Sequence, residues 1–342
     1  MSVEDRLERS EQSEPVVRES VVPASGSGPG RPVFLVGAAR SGTSLLFKVM
    51  AAHPDAAWTS NWVQRYPWLT PLAGLNRVAG LLPDRRSRVW FGAKGDNAYS
   101  YGRRRPNRDR MFPMPAEAES LYLRCGIPEL DTATADDASV ERLRKAVRTI
   151  TRWSGGRTFI NKRIANNRRI PLLLQAFPDA LFIEIVRDGR AVATSLAAVD
   201  WWEGSDVWWY GGTPAQWREQ GGDPWELCAR NWVEEVVAVR SGLAEVPAGQ
   251  VLSLRYEQLI QDPIAVTRAA MAFAGLSPDS PEWTAALSNI RFPNKNERWR
   301  NALDAQALAT VERVQREELL GYGYLGRPDD GQRAHAEPST GV

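Results

Sequence analysis

The chain has 342 residues, 43% of them hydrophobic, and 43 Lys and Arg against 41 Asp and Glu leave a formal charge of +2. That content supports one large domain or two modest ones, and the balanced charge argues against nucleic acid as a partner. Two cysteines, Cys125 and Cys228, and two histidines, His53 and His335, are too few for a disulfide framework or a His/Cys zinc site. No metal is expected, since Arg40, Lys162, Arg187 and backbone amides can meet anionic groups.

Residues 1–31 begin with the acidic stretch MSVEDRLERSEQSEP and end in Pro, Gly and Ser, a composition that predicts a disordered tail. The start has no apolar core of a signal peptide, and no run approaches the roughly 18 apolar residues of a membrane span. A cytoplasmic protein is expected, with its folded domain over 32–326 and a second polar tail over 327–342. Within the domain, Val33 to Val36 reads as a short strand and Ser44 to Ala52 as a helix. A short strand at Phe159 and Ile160 precedes a helix from Arg168 to Phe177. Leu181 to Val186 is the most strand-like run, followed by a helix from about Arg190 to Val199. Cys228, Trp232, Val236 and Val239 recur at helical spacing. Val251 to Leu254 is a strand, and Asp262-Pro263 opens another helix. Alternating strands and helices predict an α/β fold with a mainly parallel central sheet flanked by helices. Two stretches break the rhythm: 61–126, rich in Arg, Pro and Gly, and 200–225, which carries Trp201, Trp202, Trp208, Trp209, Trp217 and Trp225. Those tryptophans fit an acceptor platform and a hydrophobic lid equally well.

Gly37-Ala-Ala-Arg-Ser-Gly-Thr-Ser44 follows the first strand and opens the first helix, with the spacing of the phosphate loop G-x-x-x-x-G-K-[ST]. Its glycines let backbone N–H groups converge on a phosphate at a helix N-terminus. Thr43 stands where the lysine belongs. That lysine neutralises the β- and γ-phosphates of an NTP. A loop with Arg40 and the hydroxyls of Ser41, Thr43 and Ser44 instead suits a single 5′-phosphate, and disfavours a kinase or NTPase.

Together with Ala52-His53-Pro54-Asp55, this segment resembles the 5′-phosphosulfate loop of sulfotransferases that use 3′-phosphoadenosine 5′-phosphosulfate (PAPS), in the branch of tyrosylprotein sulfotransferases and many bacterial enzymes. Phe177 to Leu196, with Arg187-Asp-Gly-Arg190 after a strand, resembles the family's 3′-phosphate segment. The resemblance implies a phosphate-loop NTPase-like fold, PAPS as co-substrate and sulfuryl transfer to a hydroxyl or amine of a small-molecule, carbohydrate or lipid acceptor. It implies that Arg40, Ser41, Gly42, Thr43 and Ser44 hold the 5′ end and that Arg187 and Ser195 hold the 3′-phosphate. Lys162, in Phe159-Ile-Asn-Lys162, then contacts the oxygen between phosphate and sulfur, where a cation stabilises the leaving group. Tyr256 matches a tyrosine that contacts the nucleotide. Arg298, with Lys295 as a weaker candidate, falls in the family's C-terminal loop. Arg190 reads as a solvated helix residue and His53 as a helix-end structural one.

The pattern fails at one point. The catalytic glutamate that tyrosylprotein sulfotransferases carry after His-Pro-Asp falls here on Thr59-Ser60-Asn61. Glu117, Glu119 and Asp96 are the candidate bases in its place, and a protein-tyrosine acceptor is put in doubt. A phosphoryl transferase of the same fold and a non-catalytic nucleotide-binding relative are the alternatives.

Overall fold

The computed structural model describes residues 30–95, 107–129 and 134–326. Most of both expected tails, Asp96, and Arg103, Arg104 and Arg105 of an arginine run lie outside the described residues.

Five strands form one sheet: β1 (Val33–Val36), β2 (Ala56–Ala57), β3 (Thr158–Lys162), β4 (Leu181–Val186) and β5 (Val251–Arg255), in the order β2-β3-β1-β4-β5. Every pairing is parallel. Parallel neighbours need a crossover connection, which explains the helix-rich segments between strands. β1 and β4 lie where the sequence placed them. β3 runs three residues longer than the Phe159-Ile160 expected, because polar Asn161 and Lys162 interrupt the apolar signal yet remain in register with β1.

Side chains alternate across the sheet, as the strand pleat requires. Val33 and Leu35 join Ile160, Leu181, Ile183 and Ile185 on one face. There they meet Leu46 and Met50 of the helix Thr43–Ala51, Ala270 and Met271 of Pro263–Phe273, and Trp283 of Pro281–Ser288. Phe34, Val36, Phe159 and Phe182 occupy the other face. They are covered by Val140, Leu143, Val147 and Ile150 of the helix Asp137–Ser154, which recur at the i, i+3, i+7 spacing of one helix stripe, and by Leu172 and Leu173 of Ile170–Ala176. Full burial of side chains of this size contributes about 1.5–3 kcal/mol each, so this two-sided core dominates the stability.

A third cluster joins the helices Gly189–Ala197, Pro224–Leu243 and Ala305–Gly321 through Ala193, Leu196, Cys228 and Val311. Trp202 is buried in it, and Trp209, Trp217 and Trp225 pack against it. Among the described residues, no helix is long and apolar enough to cross a membrane.

Candidate active site

β1 pairs with β3 on one side and β4 on the other, so the chain reverses its direction of winding at β1. In open parallel sheets, ligands bind at such a point, beyond the strands' carboxyl ends. The phosphate loop leaves β1 there. Gly37 and Gly42 have φ of 139° and 94°, and a Cβ at Gly37 would lie 2.3 Å from the Ile185 carbonyl oxygen. Arg40 also adopts a left-handed conformation, at φ 71°. An arginine there costs about 1–3 kcal/mol, strain that surrounding contacts must hold in place.

Those contacts come from the neighbouring strand end. Arg187 donates from Nη1 to the Arg40 carbonyl at 2.8 Å, and Arg40 donates from Nε to Ser195 Oγ at 2.9 Å. Arg187 and Ser195, close in sequence, therefore form one cluster with Arg40, which lies 147 and 155 residues before them. Tyr256, the first residue after β5, lies under the Arg187 guanidinium at 4.2 Å from its ring centre. The same ring covers Gly42, where a Cβ would approach its Cδ2 to 2.6 Å. Asn296 and Lys295 close the cluster by accepting from Arg187 at 3.0 and 3.1 Å through the Asn296 side chain and the Lys295 carbonyl. Arg298 lies beside them, exposed.

Within the loop, Ser41 is fully buried and its hydroxyl makes no hydrogen bond inside the protein. Thr43 and Ser44 begin the first helix, whose leading amides have no intrahelical acceptor. An orphaned buried hydroxyl, free helix amides and glycines that admit no side chain all fit a bound phosphate group.

Lys162 ends β3 opposite Leu35 and is buried, 4% exposed. Its ammonium donates to Glu117 Oε1 at 2.6 Å. The segment bearing Glu117 is laced to residues 59–61: Ala116 N–H donates to the Thr59 carbonyl at 2.8 Å and Asn61 N–H to the Met114 carbonyl at 3.1 Å. A carboxylate is thus brought from another segment to the neighbourhood where the resembling family carries its glutamate. Burial works to raise the Glu117 pKa, but the charges of Lys162 and Arg163 outweigh it and hold the carboxyl below its usual range. Glu119 is differently engaged. It accepts two bonds from fully buried Arg169, at 2.8 and 3.2 Å, and one from Arg163 at 2.9 Å.

Arg190 corrects the sequence reading. It is 9% exposed rather than solvated, paired with Asp188 at 2.9 Å and Glu312 at 2.9 Å, and stacked on Trp299 at 4.3 Å. The Arg-Asp-Gly-Arg run therefore divides its labour: Asp188 restrains Arg190, leaving Arg187 directed at the loop. His53 is buried against the Ser277 carbonyl at 3.1 Å and accepts from Asp55 N–H, in keeping with a structural role.

Three polar residues at this edge went unnoticed in the sequence. Asn167 accepts from Gly37 N–H at 2.9 Å and donates to the Gly37 carbonyl at 3.1 Å. Glu235 accepts from Asn167 at 2.5 Å. Asn296 orients Arg187. A signal existed for Glu235, an acid on the apolar stripe of Trp232, Val236 and Val239; none marked Asn167 or Asn296. A cavity of about 810 Å³ opens at the opposite end of the sheet, beside Pro32, Val147, Phe159 and Phe177, and neither the loop, Lys162 nor Arg187 lines it.

A family model described as "Sulfotransferase family" matches residues 32–280. The chain belongs to the sulfotransferase family. Among solved structures, sulfotransferase STF9 from Mycobacterium avium matches with a TM-score of 0.54 and 17% identity, over 86% of this chain and 77% of that one. Sulfotransferase STF1 from Mycobacterium tuberculosis H37Rv matches with a TM-score of 0.50 and 16% identity, over 84% and 76%. At these identities the likeness shows the shared phosphate-loop NTPase-like fold. No curated protein sequence matches the chain.

Proposed function

We propose that this sulfotransferase takes the sulfuryl group of PAPS and transfers it to a hydroxyl or amine of a small-molecule, carbohydrate or lipid acceptor, releasing adenosine 3′,5′-bisphosphate. The observation that carries the reading is the contact of Arg40 with both Arg187 and Ser195 at the loop's mouth. It assembles cations and hydroxyls for two phosphates of one nucleotide, where a loop built for a polyphosphate would carry a lysine in place of Thr43.

PAPS supplies an activated sulfuryl group, and its departure leaves charge on the released phosphate. The loop amides with Ser41, Thr43 and Ser44 serve the 5′ end, and Arg187 with Ser195 the 3′-phosphate. Tyr256 holds Arg187 and Gly42 in place, and Arg298 at the rim adds positive charge. Lys162 neutralises the leaving oxygen, supplying from β3 the lysine that the loop lacks at Thr43. Glu117 accepts the acceptor's proton. Both carboxylates meet Arg163, but Glu117 is the one in direct contact with Lys162, whereas Glu119 is held by fully buried Arg169. A depressed pKa keeps Glu117 ionised at neutral pH, as a base must be.

The test is transfer of labelled sulfate from PAPS to a panel of phenols, sugars and glycolipids. Labelled product with release of the bisphosphate is expected. Transfer of the γ-phosphate of ATP to the same panel, with no sulfate transfer, would overturn the reading.

A further inference from the structure

Glu235 lies on the helix Pro224–Leu243 and is 2% exposed, yet it faces polar groups from two other segments. One carboxylate oxygen accepts from Asn167 Nδ2 at 2.5 Å. The other accepts from the indole N–H of Trp208 at 3.0 Å and from Arg168 at 3.4 Å. Trp208 also stacks on the Arg168 guanidinium, 4.6 Å from its ring centre.

Asn167 in turn uses its whole amide. Its oxygen takes the Gly37 N–H, one amide hydrogen goes to the Gly37 carbonyl, and the other to Glu235. Both Glu235 oxygens accept here, one from Asn167 and the other from Trp208 and Arg168, so the contact permits a single orientation of the Asn167 amide. That orientation is also the one that grips both ends of the Gly37 residue, where the loop turns away from β1. The chain of contacts thus runs in series from Trp208 in the tryptophan-rich segment, through Glu235 and Asn167, to the start of the phosphate loop. Within it the Asn167 amide and both Glu235 oxygens are fully partnered, and buried contacts of this kind hold one geometry.

We propose that Glu235 is a positioning residue that fixes the phosphate loop through Asn167 and links its geometry to Trp208. The consequence for donor affinity rests on the reading of the loop as a PAPS site; the mechanical link does not. Glu235→Gln tests it, because its amide either presents a donor to the donor of Asn167 or withdraws an acceptor from Trp208 and Arg168.

The experiment uses the full chain carrying Glu235→Gln, Asn167→Ala, both together, or Trp208→Phe. Hydrogen exchange of the peptide covering residues 36–46 is followed without ligand, and the affinity for adenosine 3′,5′-bisphosphate is measured by titration. Each of the first two variants should speed loop exchange and weaken the bisphosphate about 10- to 100-fold, the size of a lost charged hydrogen bond. The double variant should be no worse than Asn167→Ala alone, since the groups act in series. Trp208→Phe, which removes the indole N–H and shrinks the ring stacked on Arg168, should shift both readouts the same way by a smaller factor, and keeps the test open if Glu235→Gln does not fold. Additive effects, or a drop in Tm with loop exchange and affinity unchanged, would overturn the proposal. Loop exchange that responds as described in a protein that does not bind the bisphosphate supports the link and sinks the PAPS reading instead.

Discussion

Lys162 and Glu117 meet at 2.6 Å, and their roles separate in different measurements. Lys162→Ala should lower kcat about 10²–10³-fold, the cost of losing a charge aimed at a developing anion. Its bisphosphate affinity should stay within about threefold of wild type, because the contact matters chiefly in the transition state. Equal losses in both would make Lys162 a binding residue. Glu117→Gln should lower kcat about 10²–10⁴-fold. In the wild type the acid limb of the rate profile should lie below the usual carboxylate range, since Lys162 and Arg163 hold the Glu117 carboxyl down against burial. Removing the Lys162 ammonium removes part of that hold, so in Lys162→Ala the residual rate should fail at higher pH than in wild type. The same depression stabilises the fold: its contribution is complete above the unfolded carboxylate's value of about 4.3 and is lost as pH falls through the folded one. Most of these residues were legible as residue types in a motif. Their partners were not, because Lys162 meets Glu117 and Arg187 meets Asn296 across long stretches of chain whose spacing carries no trace of the contact.

At the scale of elements, the helix Gly189–Ala197 shows how tightly the strand end is held. A Cβ on Gly189 would lie 2.4 Å from Gln315 Oε1 and 2.7 Å from the Trp232 ring, both buried on neighbouring helices. Gly189→Ala should therefore destabilise the protein by about 1–3 kcal/mol, the usual penalty of overpacking, seen as a lower denaturation midpoint at unchanged slope. An unchanged midpoint would show that the helix shifts freely. The strands β1 and β4 were readable because their apolar runs are uninterrupted. The tryptophan-rich stretch was not, since a platform and a lid have the same composition. In the structure Trp202 is buried, Trp208, Trp209 and Trp217 spend their indole N–H groups on Glu235, Asn231 and the Asp223 carbonyl, and Trp201 stands 52% exposed. The segment's tryptophans are thus mostly half-buried and hydrogen-bonded, with Trp208 turned toward the loop's supports. In the 61–126 stretch Glu117 and Glu119 were legible as candidate bases, but the approach of Glu117 to Lys162 was not, since it depends on backbone pairing with residues 59–61.

For the whole molecule, the strand order converts separate motifs into one site. β1 between β3 and β4 sets Lys162 on one flank of the loop and Arg187 on the other, and β5 delivers Tyr256 beneath both Gly42 and Arg187. The alternation of strands and helices made this class of fold legible, whereas the order of the strands is fixed by which buried faces pair. The proposed site grips two phosphates of one adenosine at this edge. It is tested most directly by calorimetric titration of adenosine 3′,5′-bisphosphate against AMP, in the wild type and in Arg187→Ala. The wild type should bind the bisphosphate at least about 100-fold more tightly, two charged contacts at about 1.5–3 kcal/mol each, and Arg187→Ala should remove most of that preference. Equal affinity for the two nucleotides in the wild type, or a preference that survives in Arg187→Ala, would contradict it.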